Sequence, residues 1–200
     1  MSCIQNILLD RDGTLIEDRH YLGQTSRIAL LPGVMPTLRS FIDNGCRLYM
    51  VTNQSGIGRG YFTSQAYTRV QLHLHQLFEQ QGIFFTATAH CPHAPEEGCS
   101  CRKPRPGMWH RLAEKHGLDP NRSLMIGDKM SDVLFAANAS LAASVLVLTG
   151  QGRDEAQGNG LPTCEASPWQ AVEQASSLRG PSIVARDIAA AADWLREQGL

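Results

Sequence analysis

A Rossmann-like, doubly wound α/β fold on one parallel sheet is what this 200-residue sequence predicts, and three observations predict it. Short apolar runs rich in Ile, Leu and Val alternate with longer stretches of helical period, the pattern of a parallel sheet with helices on both faces. Three of the helical stretches close on a glycine, the residue that tolerates the left-handed turn ending a helix. A hydrophobic content of 42% fills one well-formed core and falls short of two comfortable ones, so residues 1–200 are expected to form a single domain.

In chain order, "IQNILLD" from residue 4, "CRLYMVT" from 46, "IFFTATAH" from 83, "SLMIGD" from 123 and "SVLVLTG" from 144 read as strands, with "PSIVA" from 181 a weaker last one. Between them "MPTLRSFIDNG", "SQAYTRVQLHLHQLFEQQG", "GMWHRLAEKHG" and "SDVLFAANA" read as helices. Along the second, Tyr67, Val70, Leu74, Leu77 and Phe78 share a face, while His73 and His75 fall at its polar side or boundary and read as ordinary surface residues. Residues 151–168, "QGRDEAQGNGLPTCEASP", are rich in Gly and polar residues and read as a long loop before the final strand and the helix "DIAAAADWLREQ".

The 18 Lys and Arg nearly cancel the 19 Asp and Glu, so no strong field recruits nucleic acid or a membrane surface, and a small substrate is expected. No apolar stretch approaches the roughly 20 residues that span a bilayer, and the N-terminus lacks a basic region followed by an apolar signal segment. The expected location is the cytoplasm. Of six cysteines, Cys91, Cys99 and Cys101 crowd together while Cys3, Cys46 and Cys164 are scattered, a poor disulfide framework that suggests metal instead.

In an open parallel sheet, ligands bind beyond the carboxyl ends of the strands, so the residues ending each apolar run are the ones to read for chemistry. The first run ends in Asp10, the second in Thr52-Asn53-Gln54-Ser55 and the fourth in Gly127-Asp128-Lys129. Side chains two apart on a strand share a face, so Asp10 and Asp12 can look into one pocket, where their charges repel unless a cation sits between them. Asp128 adds a third carboxylate, and a few hard oxygen ligands with room for water and phosphate suit magnesium. Taken alone, "DRDGT" reads equally well as a turn. The glycine-rich "TNQSGIGRG" adds Arg59, and "CRKPRPGM" adds Arg102, Lys103 and Arg105, the hydroxyl, N–H and cationic groups that a phosphoryl group needs around its oxygens.

The ordered set "DRDGT", "VTNQ", "RKP" and "GDKMSD" resembles the haloacid dehalogenase superfamily of phosphatases over about residues 4–150. Within it the chain is similar to bacterial heptose 1,7-bisphosphate phosphatases, a capless branch related to histidinol-phosphate phosphatases. The resemblance implies that Asp10 is the nucleophile, forming an aspartyl-phosphate, and that Asp12 is the general acid and base. It places magnesium on Asp10, the backbone carbonyl of Asp12 and Asp128, and the phosphoryl oxygens on Thr52 and Lys103. Substrate contacts fall to Asn53, Gln54, Ser55, Arg59, Arg102 and Lys129, and to the stretch Asp18 to Tyr21, which corresponds to a segment lying over the substrate. Asp132 is expected to cap a helix or support the acids from behind. A monomer acting on a small phosphorylated sugar is expected.

"CPHAPEEGCSCRKP" holds Cys91, His93, Cys99 and Cys101, four soft or borderline donors within eleven residues. Three thiolates and an imidazole fill a tetrahedral zinc shell with no open position, so zinc here is structural, holding a loop with little core of its own and placing Arg102 and Lys103.

The five residues between His93 and Cys99 match the short loop of the histidinol branch, whereas "GIGRG", "RKPRPGM" and "GDK" match the sugar phosphatases. Arg59, Arg102 and Arg105 also suit a second phosphate and disfavour cationic histidinol phosphate. A DNA 3′-phosphatase shares "TNQ…GIGRG" and "RKP…GMW" but needs a basic surface, and a catalytically dead, zinc-stabilised binding module is at odds with the intact acids. The tail 151–200 does not follow the family's short one; it reads as a dimer contact or a longer return to the sheet edge.

Overall fold

The computed structural model describes residues 4–19, 21–172 and 180–199. Its elements are β1 (Asn6–Leu9), α1 (Val34–Asp43), β2 (Arg47–Asn53), α2 (Ser55–Gly58), α3 (Ser64–Glu79), β3 (Phe85–Cys91) and α4 (Gly107–His116). They continue with β4 (Ser123–Gly127), α5 (Met130–Asn138), β5 (Ala143–Val147), α6 (Gly152–Gly158), β6 (Trp169–Ala171), β7 (Ile183–Ala185) and α7 (Ile188–Glu197).

The sheet runs β3-β2-β1-β4-β5-β7-β6, parallel throughout except for β6 against β7. Asn6 of β1 stands in register with Arg47 on one side and Ser123 on the other, so β1 is central. From β1 the chain winds outward through β2 and β3, then crosses back to β4. The strand order therefore reverses between β1 and β4, where an open α/β sheet leaves a crevice at its carboxyl edge.

Alternation along the strands sorts the core into two layers. Ile7, Leu9, Met50, Ile126 and Val145 pack with Phe41 of α1, Leu74 and Phe78 of α3 and Trp194 of α7. Leu8, Tyr49, Val51 and Met125 face the other way, onto Met108 and Trp109 of α4 and Phe135 of α5. Apolar residues on both faces explain why the central strands read as continuous apolar runs. Gly117, at φ +63°, ends α4 in the left-handed turn its sequence predicts.

Two expectations about the fold need correction. Residues 151–168 are not all loop, because α6 occupies Gly152–Gly158 and buries Ala156. The tail does return to the sheet edge, as β6, while residues 173–179 of that segment, like Cys3 and His20, lie outside the described residues. His75 is no ordinary surface residue: half-buried, it shares a 3.0 Å hydrogen bond with Thr88 and meets the Phe85 ring edge-on. Among the described residues no helix is long and apolar enough to cross a membrane.

Candidate active site

Asp10 follows β1 directly and Asp128 follows β4, so the reversal in strand order sets their backbones side by side. Asp132, in the first turn of α5, joins them, and carboxylate oxygens of all three lie within 4.8 Å of one another. The Lys103 ammonium, 2% exposed, sits among them, 2.8 Å from Asp10 Oδ1 and 2.5 Å from Asp132 Oδ1, and donates also to the Val51 carbonyl at 2.8 Å. Burial pulls the Lys103 pKa down, and the carboxylates of Asp10 and Asp132 more than reverse this, so it rises and the ammonium persists. Asp132 has two tasks, since its other oxygen accepts from the Lys129 N–H at 3.1 Å and caps α5.

Asp128 is fully buried, and its Oδ1 has no hydrogen-bond partner among the described residues. Burial, and next the charge of Asp10, push its carboxyl up to about 8. Burial likewise raises Asp132, to about 6, against the pull of Lys103. Three carboxyls crowd together with the Lys103 ammonium beside Asp10 and Asp132 and the Lys129 charge acting on Asp128, and one Asp128 oxygen has no hydrogen-bond partner among the described residues. A hard divalent cation answers both, so this donor set fits magnesium. Gly13, at φ +87°, belongs to the same packing, because a Cβ there would run into the Asp128 carboxylate.

A cleft of about 320 Å³ opens beside this cluster. The cluster's three acids and Lys103 do not line it; their neighbours do, namely Asp12, Lys129, Arg102 and Gln151. Asp12 Oδ2 accepts from Gln54 Nε2 at 2.9 Å, and the Arg11 guanidinium grips both Asp12 oxygens at 3.0 and 3.1 Å. Asp18, Tyr21, Asn53, Gln54 and Ser55 also line the cleft, with Leu22 and Phe62 supplying an apolar wall. Asp18 accepts from Lys129 Nζ at 3.3 Å and from Gln151 Nε2 at 3.0 Å. Thr52 lies behind Gln54, buried, with its Oγ1 accepting from Gln54 Nε2 at 2.8 Å.

The substrate set from the sequence is thus only partly gathered. Arg59 is outside the cleft, paired with Glu96 of the Cys/His loop at 3.1 Å, and Arg105 donates to the Cys99 carbonyl at 2.6 Å. Of the three arginines only Arg102 lines the cleft, with a buried Nη1 that finds no hydrogen-bond partner among the described residues. Asn53 lines the cleft too, but its amide clasps the Lys103 peptide, donating to the carbonyl at 3.1 Å and accepting from the N–H at 3.0 Å. Sequence reasoning missed Arg11 and Gln151. Gln151 donates its backbone N–H to Asp128 Oδ2 at 2.9 Å, while Thr149 Oγ1 donates to the Gly13 carbonyl at 2.6 Å.

Cys91, His93, Cys99 and Cys101 converge as the sequence predicts, with Sγ···Sγ and Sγ···Nδ1 separations of 3.3 to 3.6 Å. Bonds of about 2.3 Å to sulfur and 2.0 Å to nitrogen set tetrahedral edges of roughly 3.5–3.8 Å, so this donor set fits zinc. Burial works against a thiolate at Cys99, yet hydrogen bonds from Cys91 and Cys101 bring it down to about 7, while burial raises Cys91 and Cys101. The loop has more core than expected: Cys91 and Cys101 pack with Met108 and Trp109, and Gly107 at the start of α4 donates to the Ser100 carbonyl at 3.1 Å.

Comparison with known proteins adds independent support. A family model described as "HAD-hyrolase-like" matches residues 100–168. A D-glycero-beta-D-manno-heptose-1,7-bisphosphate 7-phosphatase of Haemophilus ducreyi is 39% identical over 152 residues, covering 72% of this chain and 84% of the relative. The enzyme of the same name from Helicobacter pylori is 36% identical over 149 residues, covering 74% and 86%. The crystal structure of a D,D-heptose 1,7-bisphosphate phosphatase from B. bronchiseptica, complexed with magnesium and phosphate, superposes with a TM-score of 0.81 at 30% identity, over 98% of this chain and 100% of the other.

Proposed function

This chain belongs to the heptose 1,7-bisphosphate 7-phosphatase family of haloacid dehalogenase-like hydrolases, and from that premise we propose that it removes the C7 phosphate of D-glycero-D-manno-heptose 1,7-bisphosphate. The observation that carries the mechanism is the buried Lys103 ammonium between Asp10 and Asp132 beside a polar cleft. An ammonium held there neutralises charge on a phosphoryl group that reaches Asp10. Asp10 is the nucleophile, and Lys103 both orients it and receives the phosphoryl oxygens with the Thr52 hydroxyl. Asp12 protonates the leaving sugar oxygen and then takes a proton from the hydrolytic water. Asp10, the Asp12 carbonyl and Asp128 hold magnesium, which when bound offsets the repulsion between carboxylate and phosphate.

Asp18, Lys129 and Arg102 read the sugar; Asn53 supports Lys103, and Arg59 braces the zinc loop rather than touching substrate. Cys91, His93, Cys99 and Cys101 would hold a zinc ion, which would stiffen the loop leading to Lys103. The chain acts as one domain and as a monomer in the cytoplasm.

With Arg59 and Arg105 outside the cleft and Asp18 inside it, an amine-bearing ester is less disfavoured than three arginines would make it. Histidinol phosphate is therefore the second reading. The test is phosphate release with magnesium, comparing kcat/KM for the β and α anomers of the bisphosphate, histidinol phosphate and a 3′-phosphorylated DNA end. The Haemophilus ducreyi and Helicobacter pylori relatives carry the β anomer in their names, and a large preference for it is expected. A preference for histidinol phosphate would overturn the substrate assignment and leave the chemistry of Asp10 intact.

A further inference from the structure

Arg11 is a cation that the mechanism above does not use, and its side chain is 1% exposed. Burying a guanidinium is costly unless its donors are met. Here they are met by a dedicated set. Nε and Nη2 donate to the two oxygens of Asp12 at 3.0 and 3.1 Å, Nη2 donates to Gln54 Oε1 at 3.0 Å, and Nη1 donates to Gln71 Oε1 at 3.4 Å. The Tyr67 ring centre lies 5.6 Å from Cζ, within cation–π range. Tyr67 and Gln71 are four residues apart on α3, so one helical face supplies both. Gln71 is itself buried on the face that carries Val70, Leu74 and Phe78, a position where an amide is otherwise a cost.

We propose that Arg11 is the positioning residue for proton transfer, its two-pronged grip, with the Gln54 amide, holding the Asp12 carboxyl in line with the leaving-group oxygen. The inference rests on the reading of the site as a phosphomonoesterase. In the first step an Asp10 oxygen bonds to phosphorus as the bond from phosphorus to the sugar oxygen breaks, and that oxygen takes the Asp12 proton. In the second, water bonds to phosphorus, gives a proton to Asp12, and the aspartyl–phosphorus bond breaks to release phosphate. Asp12 Oδ2 already accepts from both Arg11 and Gln54, whereas Oδ1 accepts from Arg11 alone, so Oδ1 keeps the lone pair that carries the proton. Lysine in place of Arg11 preserves the charge but cannot grip two oxygens at once.

The leaving group supplies a readout that a merely structural role would not move. A sugar or glycerol alkoxide needs a proton as it departs, while 4-nitrophenolate does not. Because kcat/KM reports events only through ester cleavage, a misplaced acid penalises alkyl esters selectively. The experiment measures kcat/KM of the magnesium-loaded protein and of R11K on the heptose bisphosphate, glycerol phosphate and 4-nitrophenyl phosphate, with D12N marking the full loss of the acid. General acids contribute about 10²–10⁴-fold, so the alkyl-to-aryl ratio should fall at least tenfold in R11K. A proportional loss on all esters from a folded R11K, or no loss, would overturn the proposal. Should R11K fail to fold, Q71M carries the test: a ratio lowered about threefold, as expected for one weakened bond of the cradle, supports it, and an unchanged ratio overturns it. Wild-type protein that cleaves glycerol phosphate but not the heptose ester overturns the substrate assignment alone, and the glycerol-to-aryl ratio then decides the role of Arg11.

Discussion

Asn53→Ala separates two readings of one residue. By sequence Asn53 contacts substrate, whereas the structure has its amide clasping the Lys103 peptide through bonds of 3.1 and 3.0 Å. Each such bond contributes about 0.5–1.5 kcal/mol net, so removing both should cost about 1–3 kcal/mol. For a domain of this length that is a fall in Tm of about 2–4 °C per kcal/mol. The clasp anchors the residue whose ammonium lies 2.8 Å from Asp10, so kcat should fall with stability. Asn53→Asp sharpens the comparison, because it keeps an acceptor for the Lys103 N–H and sets a second acceptor against the Lys103 carbonyl. It should recover little of the loss. Thermal melts of both variants, with steady-state kinetics on the same preparations, are the assay. An unchanged Tm with a raised KM and normal kcat would refute the clasp and restore Asn53 as a substrate contact.

Asp10→Asn should abolish turnover while leaving the melt close to wild type, and substantial remaining activity would sink the aspartyl-phosphate route. Cys99→Ser should lower zinc content, Tm and activity together, with wild-type protein stripped by a strong zinc chelator showing the same trio; full activity after verified metal loss would speak against a structural zinc. Gly13→Ala, forced into a left-handed conformation and against the Asp128 carboxylate, should lose both stability and magnesium-dependent activity, as read by melts with and without the ion. Burial lowers the His75 pKa below 6.5, with Glu79 partly opposing it, so the unfolded chain takes up that proton first. The contribution of His75 is therefore present above about pH 6.5 and lost as pH falls through its folded pKa. Denaturation midpoints from pH 7.5 down to 5.5 should fall more steeply for wild type than for His75→Gln, and parallel curves would contradict the assignment.

The central strands were legible because burial on both faces makes them unbroken apolar runs bounded by polar ends, and those ends carried Asp10, Thr52 and Asp128 to one edge. The Cys/His cluster was legible from its density and from the family resemblance, since its geometry needs little besides proximity in sequence. What stayed hidden depended on contacts between distant segments. Strand alternation points Arg11 away from its acidic neighbours, and only the turn after Leu9 brings its guanidinium back onto Asp12. In α6 Ala156 is the one buried apolar residue among glycines and charges, so no helical period announces the helix. Strand β6 is three residues long and owes its conformation to β7, a partner that its own sequence does not encode.

The links from Gln151 to Asp128 and Asp18, and from Thr149 to Gly13, have a consequence for where this catalyst can be cut. Every recognisable motif is complete by Asp132, and a fragment trimmed there would look intact on paper. It would lack the strut that ties the first acidic loop to the fourth strand's end from beyond the neighbouring β5. The minimal enzyme is longer than the minimal signature, and deletion series that keep every motif but stop short of residue 151 should yield a cluster of acids that lacks the ties from Gln151 and Thr149.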